Sequence, residues 1–256
     1  GQLSVLAFST VDTVLVARYG AVDLAALAVG AAAYVTIFIG FMGVVLAIGP
    51  IVGQLFGAGQ HAQAGRQVHQ AAWIALGLSV IGCALLVFPA PFLALSQVTP
   101  EVAAKVRSYL QALAFALPAA LLFTVYRGFN TAVSRPKAVM ALQVGGLALK
   151  VPLSAGLVWG VPALGIPALG VVGCGVATAI VMWTQAAVAL RVLRRDPFYA
   201  PFALGGQGFH APDGAALRTQ LRLGIPMGAA ILIEVTGFSF MAIFIARLGT
   251  TPVAGH

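Results

Sequence analysis

Residues Arg191–Arg222 read RVLRRDPFYAPFALGGQGFHAPDGAALRTQLR, the longest polar interruption in an otherwise greasy chain. The stretch holds two of the six acids, five of the fourteen Lys and Arg residues, three prolines and a Gly-Gly pair. No apolar run of membrane length fits inside it. The residues before it are nearly continuously hydrophobic, and one further apolar run follows it. It reads as a long water-exposed loop that closes one membrane-embedded bundle and opens a second.

Composition points the same way. The chain is 61% hydrophobic and 8% charged, with a mean hydropathy of +1.01. Soluble domains carry about 25% charge, so the charge deficit excludes the soluble fold classes. The net charge of +8 sits mostly in short connections, where it orients helices, so no nucleic-acid partner is expected. Cys83 and Cys174 lie in apolar runs and read as small buried hydrophobes. The chain begins Gly1-Gln2 and ends Gly255-His256, and both ends read as cut.

A helix needs about 20 apolar residues to cross a ~30 Å hydrocarbon layer. Seven runs meet that ruler: up to 18, 26–56, 71–95, 108–132, 138–161, 168–193 and 221–248. The expected fold is an all-α polytopic membrane protein, a six-helix N-terminal bundle plus the first helix of a second. The bundle occupies 1–194 with its first helix truncated, the loop 195–217 is cytoplasmic, and 218–256 holds the seventh helix. The long second run predicts a kink near Pro50, and Pro118, Pro152 and Pro226 fall inside runs four, five and seven. Gly53/Gly57, Gly156/Gly160 and Gly224/Gly228 have the spacing for close helix packing.

Basic residues set the orientation. Arg66, Arg127, Arg135, Lys137, Arg191, Arg194, Arg195, Arg218 and Arg222 collect at one end, and Arg18, Lys105, Arg107 and Arg247 at the other. The richer end is expected in the cytoplasm, together with the N-terminus. Ala17–Gly20 and Ala246–Gly249 echo one another, as a repeat of two six-span halves requires.

Ionisable groups at membrane depth are costly and are functional suspects by default. Glu234 sits near the midplane of run seven, Lys150 comparably deep in run five, and Asp12 in the outer half of run one. Asp12 and Glu234 read either as switchable carboxylates for H⁺, Na⁺ or a cationic substrate, or as structural groups, Asp12 paired with Lys150. His61 and His69 flank a polar turn and read as solvated loop residues. No motif for hydrolysis or for phosphate binding occurs, so no enzyme activity and no ATP site are expected.

Several stretches together resemble the multidrug and toxic compound extrusion (MATE) family. Val11-Asp12-Thr13 followed by Gly20 is similar to its first helix. Pro50, Gln54 and Gly57-Ala58-Gly59 are similar to the end of its second. Gly170, Gly173 and Ala177-Thr178 resemble the opening of its sixth helix, and Gly224-Ile225-Pro226 with Glu234 its seventh. The resemblance implies a cation-coupled antiporter with two six-helix lobes around a cavity. Asp12 would be the N-lobe acid, and Glu234 the first C-lobe acid of the cation site and a Na⁺ ligand. Where the family often carries Asn, with Asn or Asp four residues on, this chain has Lys150 and Ser154. A fixed positive charge facing the N-lobe cavity would depress the Asp12 pKa within ~6 Å and favour coupling through Glu234.

The expected function is export of amphipathic organic cations in exchange for inward Na⁺ or H⁺. The expected protein is a monomer in the bacterial inner membrane, with no cofactor beyond the coupling ion. The drug's charge would be met by the two acids and its flat body by cavity aromatics. The alternative is a lipid-linked oligosaccharide flippase, for which Lys150 would meet the phosphate headgroup.

Overall fold

The structure, a computed structural model, describes residues 10, 13–88, 100–160, 169–202 and 214–247. A helical segment over 13–19 is followed by α1 (Ala21–Val45), α2 (Ile48–Gly57), α3 (His61–Val87) and α4 (Pro100–Ala132). Then come α5 (Pro136–Trp159), α6 (Val171–Arg195), a 3-10 segment (Pro197–Phe202) and α7 (Gly214–Arg247). No strand occurs among the described residues. Five stretches, Ala21–Gly57, His61–Val87, Pro100–Ala132, Pro136–Trp159 and Val171–Arg195, are long and apolar enough to cross a membrane. The protein is an all-α polytopic membrane protein, as its sequence predicts.

The prolines act where the sequence places them. Pro50 has no N–H, and the long second run breaks just before it, between α1 and α2; there Gly49 N donates to Leu46 O at 3.0 Å, a tighter turn than the α-helix makes. Gly57-Ala58-Gly59 then ends α2. Gly59 takes φ +76, Gly59 N donates to Phe56 O at 3.1 Å and Gln60 N to Leu55 O at 2.8 Å. That pair of bonds is the Schellman cap, and its left-handed position favours glycine. Pro118 lies inside α4 and leaves Ala114 O without its helical donor. The Cys83 thiol of α3 supplies one instead, donating to Ala114 O at 3.0 Å.

α4 is the hub. Val106, Tyr109, Leu110, Leu113, Leu117, Leu121, Val125 and Phe129 recur at helical spacing and are all buried. Around α4 pack α1, α2, α3, α5 and α6. Lipid tails are as apolar as these side chains, so van der Waals fit rather than exclusion from water holds the helices together. α7 crosses α1 where both are small: a Cβ on Gly228 would meet Gly40 O at 2.6 Å, and one on Gly43 would meet Gly228 Cα at 2.6 Å. Of the three glycine pairs, Gly224/Gly228 therefore marks a real crossing. Gly53 and Gly57 face open space, and Gly160 ends α5 at φ +81.

Two readings are corrected here. His61 and His69 are helical, not loop residues. His61 begins α3 with its ring between Phe56 (5.2 Å) and Phe202 (5.1 Å), and His69 is buried. The polar start of α3 folds as helix because Ala64, Val68, Ala71 and Ala75 form one buried stripe while Arg66 faces outward.

The second correction concerns the interlobe stretch. It is not a loop exposed throughout: α7 already begins at Gly214, and Tyr199 and Phe202 are fully buried. Phe202 packs against Phe56, His61, Phe129 and Phe198. Its carbonyl lies where a Cβ on Gly65 would be, so only glycine admits it. The Tyr199 hydroxyl donates to Asn130 Oδ1, Arg135 pairs with Asp196 at 3.3 Å, and the Arg135 guanidinium stands 4.4 Å from the Phe198 ring. Burial pushes the Tyr199 phenol above its ordinary pKa, with Arg135 opposing and Asp196 adding, so it stays a donor.

Phe202 thus plugs the end of the bundle. Truncating it, Phe202→Ala, should destabilise the full-length protein by about 3–5 kcal/mol. Thermal unfolding in detergent checks this, and an unchanged midpoint would mean that the plug only rests on the bundle.

Candidate functional site

Glu234 lies on α7, twelve residues beyond Arg222, roughly 18 Å along the axis and so close to the middle of a ~30 Å layer. It is exposed on the surface of the chain. Gly224 and Gly228 give α7 its contact with α1, and at 100° per residue Glu234 points well away from that seam. The packing of α7 leaves the carboxylate open to whatever lies beyond α1.

Lys150 lies on α5 and is fully buried. Its ammonium donates to Thr178 Oγ1 at 2.6 Å and to Cys174 O at 3.4 Å, and the Thr178 hydroxyl in turn donates to Cys174 O at 2.9 Å. Ser154, one turn along the same face, is also fully buried. The structure therefore brings Lys150 and Thr178 together between α5 and α6, with Ser154 buried one turn further along α5. Lys150 thus lies at the interface of α5 and α6 with no exposed surface. Asp12 lies outside the described residues, as does any geometry between it and Lys150.

The motif residues divide. Pro50 and Gly59 shape the two ends of α2, as described above. Gln54 is an exposed residue of that helix, and Pro226 sits inside α7 two residues from the Gly224 contact with α1.

Sequence reasoning passed over Asp23. It is 3% exposed and joins three helices at the end of the bundle opposite the arginine-rich one. Its Oδ1 pairs with Lys105 of α4 at 2.7 Å, and its Oδ2 accepts from Val171 N, the first residue of α6, at 2.8 Å. A carboxylate at a helix start satisfies an orphan N–H and meets the positive end of the helix dipole. Gly170 holds the approach open: at φ +63 it is left-handed, and a Cβ there would strike Asp23 Oδ2. The available signal was Gly170 itself, a glycine immediately ahead of an apolar helical run. Thr178 was visible in the resemblance but not as the partner of Lys150.

The nine basic residues grouped by sequence belong to helix ends that meet in space. Arg135 reaches Asp196, the 3-10 segment covers Gly65, and Gln220 of α7 donates to Gln67 of α3 (2.9 Å to its carbonyl, 2.8 Å to its side chain). This is the arginine-rich end.

A bundle of apolar helices carrying a lysine and a carboxylate at membrane depth is the frame of a multi-pass membrane protein, and the chain belongs to the MatE family, whose family model matches residues 1–155. It is 42% identical over 255 residues to the probable multidrug resistance protein NorM of Aromatoleum aromaticum, covering 100% of this chain and 54% of that protein. It is 36% identical over 246 residues to the multidrug resistance protein NorM of Vibrio cholerae, covering 96% and 53%. The chain spans about half the length of these relatives. Its fold matches the crystal structure of MATE in complex with MaD5 at a TM-score of 0.83 and 20% identity, over 98% of this chain and 55% of that one.

Proposed function

We propose that the whole protein is a secondary antiporter that exports amphipathic organic cations in exchange for inward Na⁺ or H⁺ by alternating access. It works in the bacterial inner membrane with the arginine-rich end in the cytoplasm. Glu234 carries the reading: a carboxylate that a helix of membrane length holds near mid-layer and turns away from its own packing seam. Family membership and relatives named multidrug resistance proteins support the substrate class. In this reading Glu234 binds the coupling ion, a Na⁺ or a proton, and Asp12 serves as the acid of the first lobe. Cation and drug compete for the same negative charge, and occupancy decides which way the lobes face.

The burial of Lys150 weighs against the flippase reading. A lysine with no exposed surface and its ammonium on Thr178 is not presented to a lipid phosphate. Vesicles reconstituted with the full-length protein, loaded with a fluorescent organic cation and given an inward Na⁺ or H⁺ gradient, test the proposal. The dye should leave faster with the gradient than without it. Movement of a labelled lipid-linked oligosaccharide, with the dye unmoved, would overturn it.

A further inference from the structure

On α4, Leu117 meets Gly82 of α3 beside Phe41 of α1, and Gly128 meets Ile48 of α2. Leu122, Phe123 and Tyr126 project from the other side of the same helix. Over that second face α3 and α6 stand apart and leave a cavity of about 540 Å³. It opens sideways: Trp183 and Leu190 on its wall are 47% and 50% exposed. No residue of α1 or α7 lines it, so it lies apart from the contact between those two helices. In a membrane that flank meets lipid.

The walls define what fits. Leu76, Leu122, Phe123 and Leu190 are apolar, no carboxylate lines the space, and Arg194 stands at its mouth. Asp196, the nearest acid along the chain, is engaged with Arg135 at 3.3 Å, and among the described residues no carboxylate pairs with Arg194. From Arg194 to Trp183 is eleven residues of α6, about 16 Å, close to the ~15 Å depth of one leaflet. The Trp183 indole is held in place by donating to Phe115 O at 2.7 Å. Apolar walls of this length with a cation at one end suit an acyl chain and its headgroup.

We propose that this groove binds one anionic phospholipid from the leaflet at the arginine-rich end, with an acyl chain lying over α4 and the phosphate on Arg194. A neutral phospholipid would use the same walls but leave the guanidinium without a counter-charge.

The test uses the full-length protein with Trp183 as its sole tryptophan, in vesicles doped with brominated phosphatidylglycerol or brominated phosphatidylcholine. The anionic lipid should quench Trp183 at about fivefold lower mole fraction than the neutral one, the worth of one arginine near the membrane surface. Arg194→Gln should bring the two lipids level, and Ala187→Phe, which fills the groove, should weaken quenching by both. Equal quenching in the parent protein would overturn the proposal, as would a preference that survives Arg194→Gln or quenching indifferent to Ala187→Phe. Relief of quenching by an organic cation, but not by unbrominated phosphatidylglycerol, would assign the groove to a drug and overturn it equally.

Discussion

Glu234→Gln in the full-length protein is expected to lower gradient-driven dye efflux by roughly tenfold or more. The estimate comes from losing one charge-assisted contact of about 1.5–3 kcal/mol between carboxylate and cation. An ionised acid at this depth costs about 2.5–3.5 kcal/mol to insert, so the chain maintains it against a steady penalty. Packing within this chain does not explain its presence. Within this chain the side chain lies off the α1 seam, so Gln should lower efflux far more than it lowers the thermal midpoint. Efflux and melting measured on the same preparation separate the roles. Glu234→Asp, which keeps the charge on a shorter stem, should recover part of the rate. Normal efflux by Glu234→Gln would take the residue out of the mechanism.

The second large effect concerns stability. Asp23→Ala removes the cap on α6 and the partner of Lys105 in one step, and should destabilise the protein by about 2–4 kcal/mol. Lys105 is 36% exposed, so solvent screens the ion pair, and most of the cost comes from the Val171 N–H stranded at a buried helix start. Asp23→Asn keeps an acceptor for that N–H and should lose less than half as much. A thermal scan of both variants in detergent decides the matter: equal losses would place the stabilisation in the Lys105 pair rather than the cap. Gly170→Ala should resemble Asp23→Ala, because its methyl group would displace the same carboxylate and impose a left-handed backbone on alanine.

The charge pattern alone was enough for the class of fold. Insertion into hydrocarbon penalises every unpaired charge, so the polar breaks in the sequence mark the ends of spans directly. Pro50 and Gly57-Ala58-Gly59 were equally legible, since a missing N–H and a left-handed glycine act on the local backbone whatever surrounds them. The site residues were legible in part. Glu234 and Lys150 stand out because an ionisable group in an apolar run is conspicuous in any sequence. Asp23 was overlooked because it sits at the start of a span, where an acid looks ordinary. Tyr199 and Phe202 were read as loop because three prolines and a Gly-Gly pair surround them.

By itself, then, the sequence determined the apolar runs, the breaks at Pro50 and Gly57–Gly59, and the charges carried to membrane depth. Which face of each helix turns inward was a tertiary decision. α1 is apolar around its whole circumference, and hydrocarbon rewards inner and outer faces alike, so no periodic signal separates them. Contacts selected the partners: Lys150 with Thr178, Asp23 with the first amide of α6, Gly228 with the backbone of α1. Each depends on how closely two distant helices approach, which only shape complementarity in three dimensions sets.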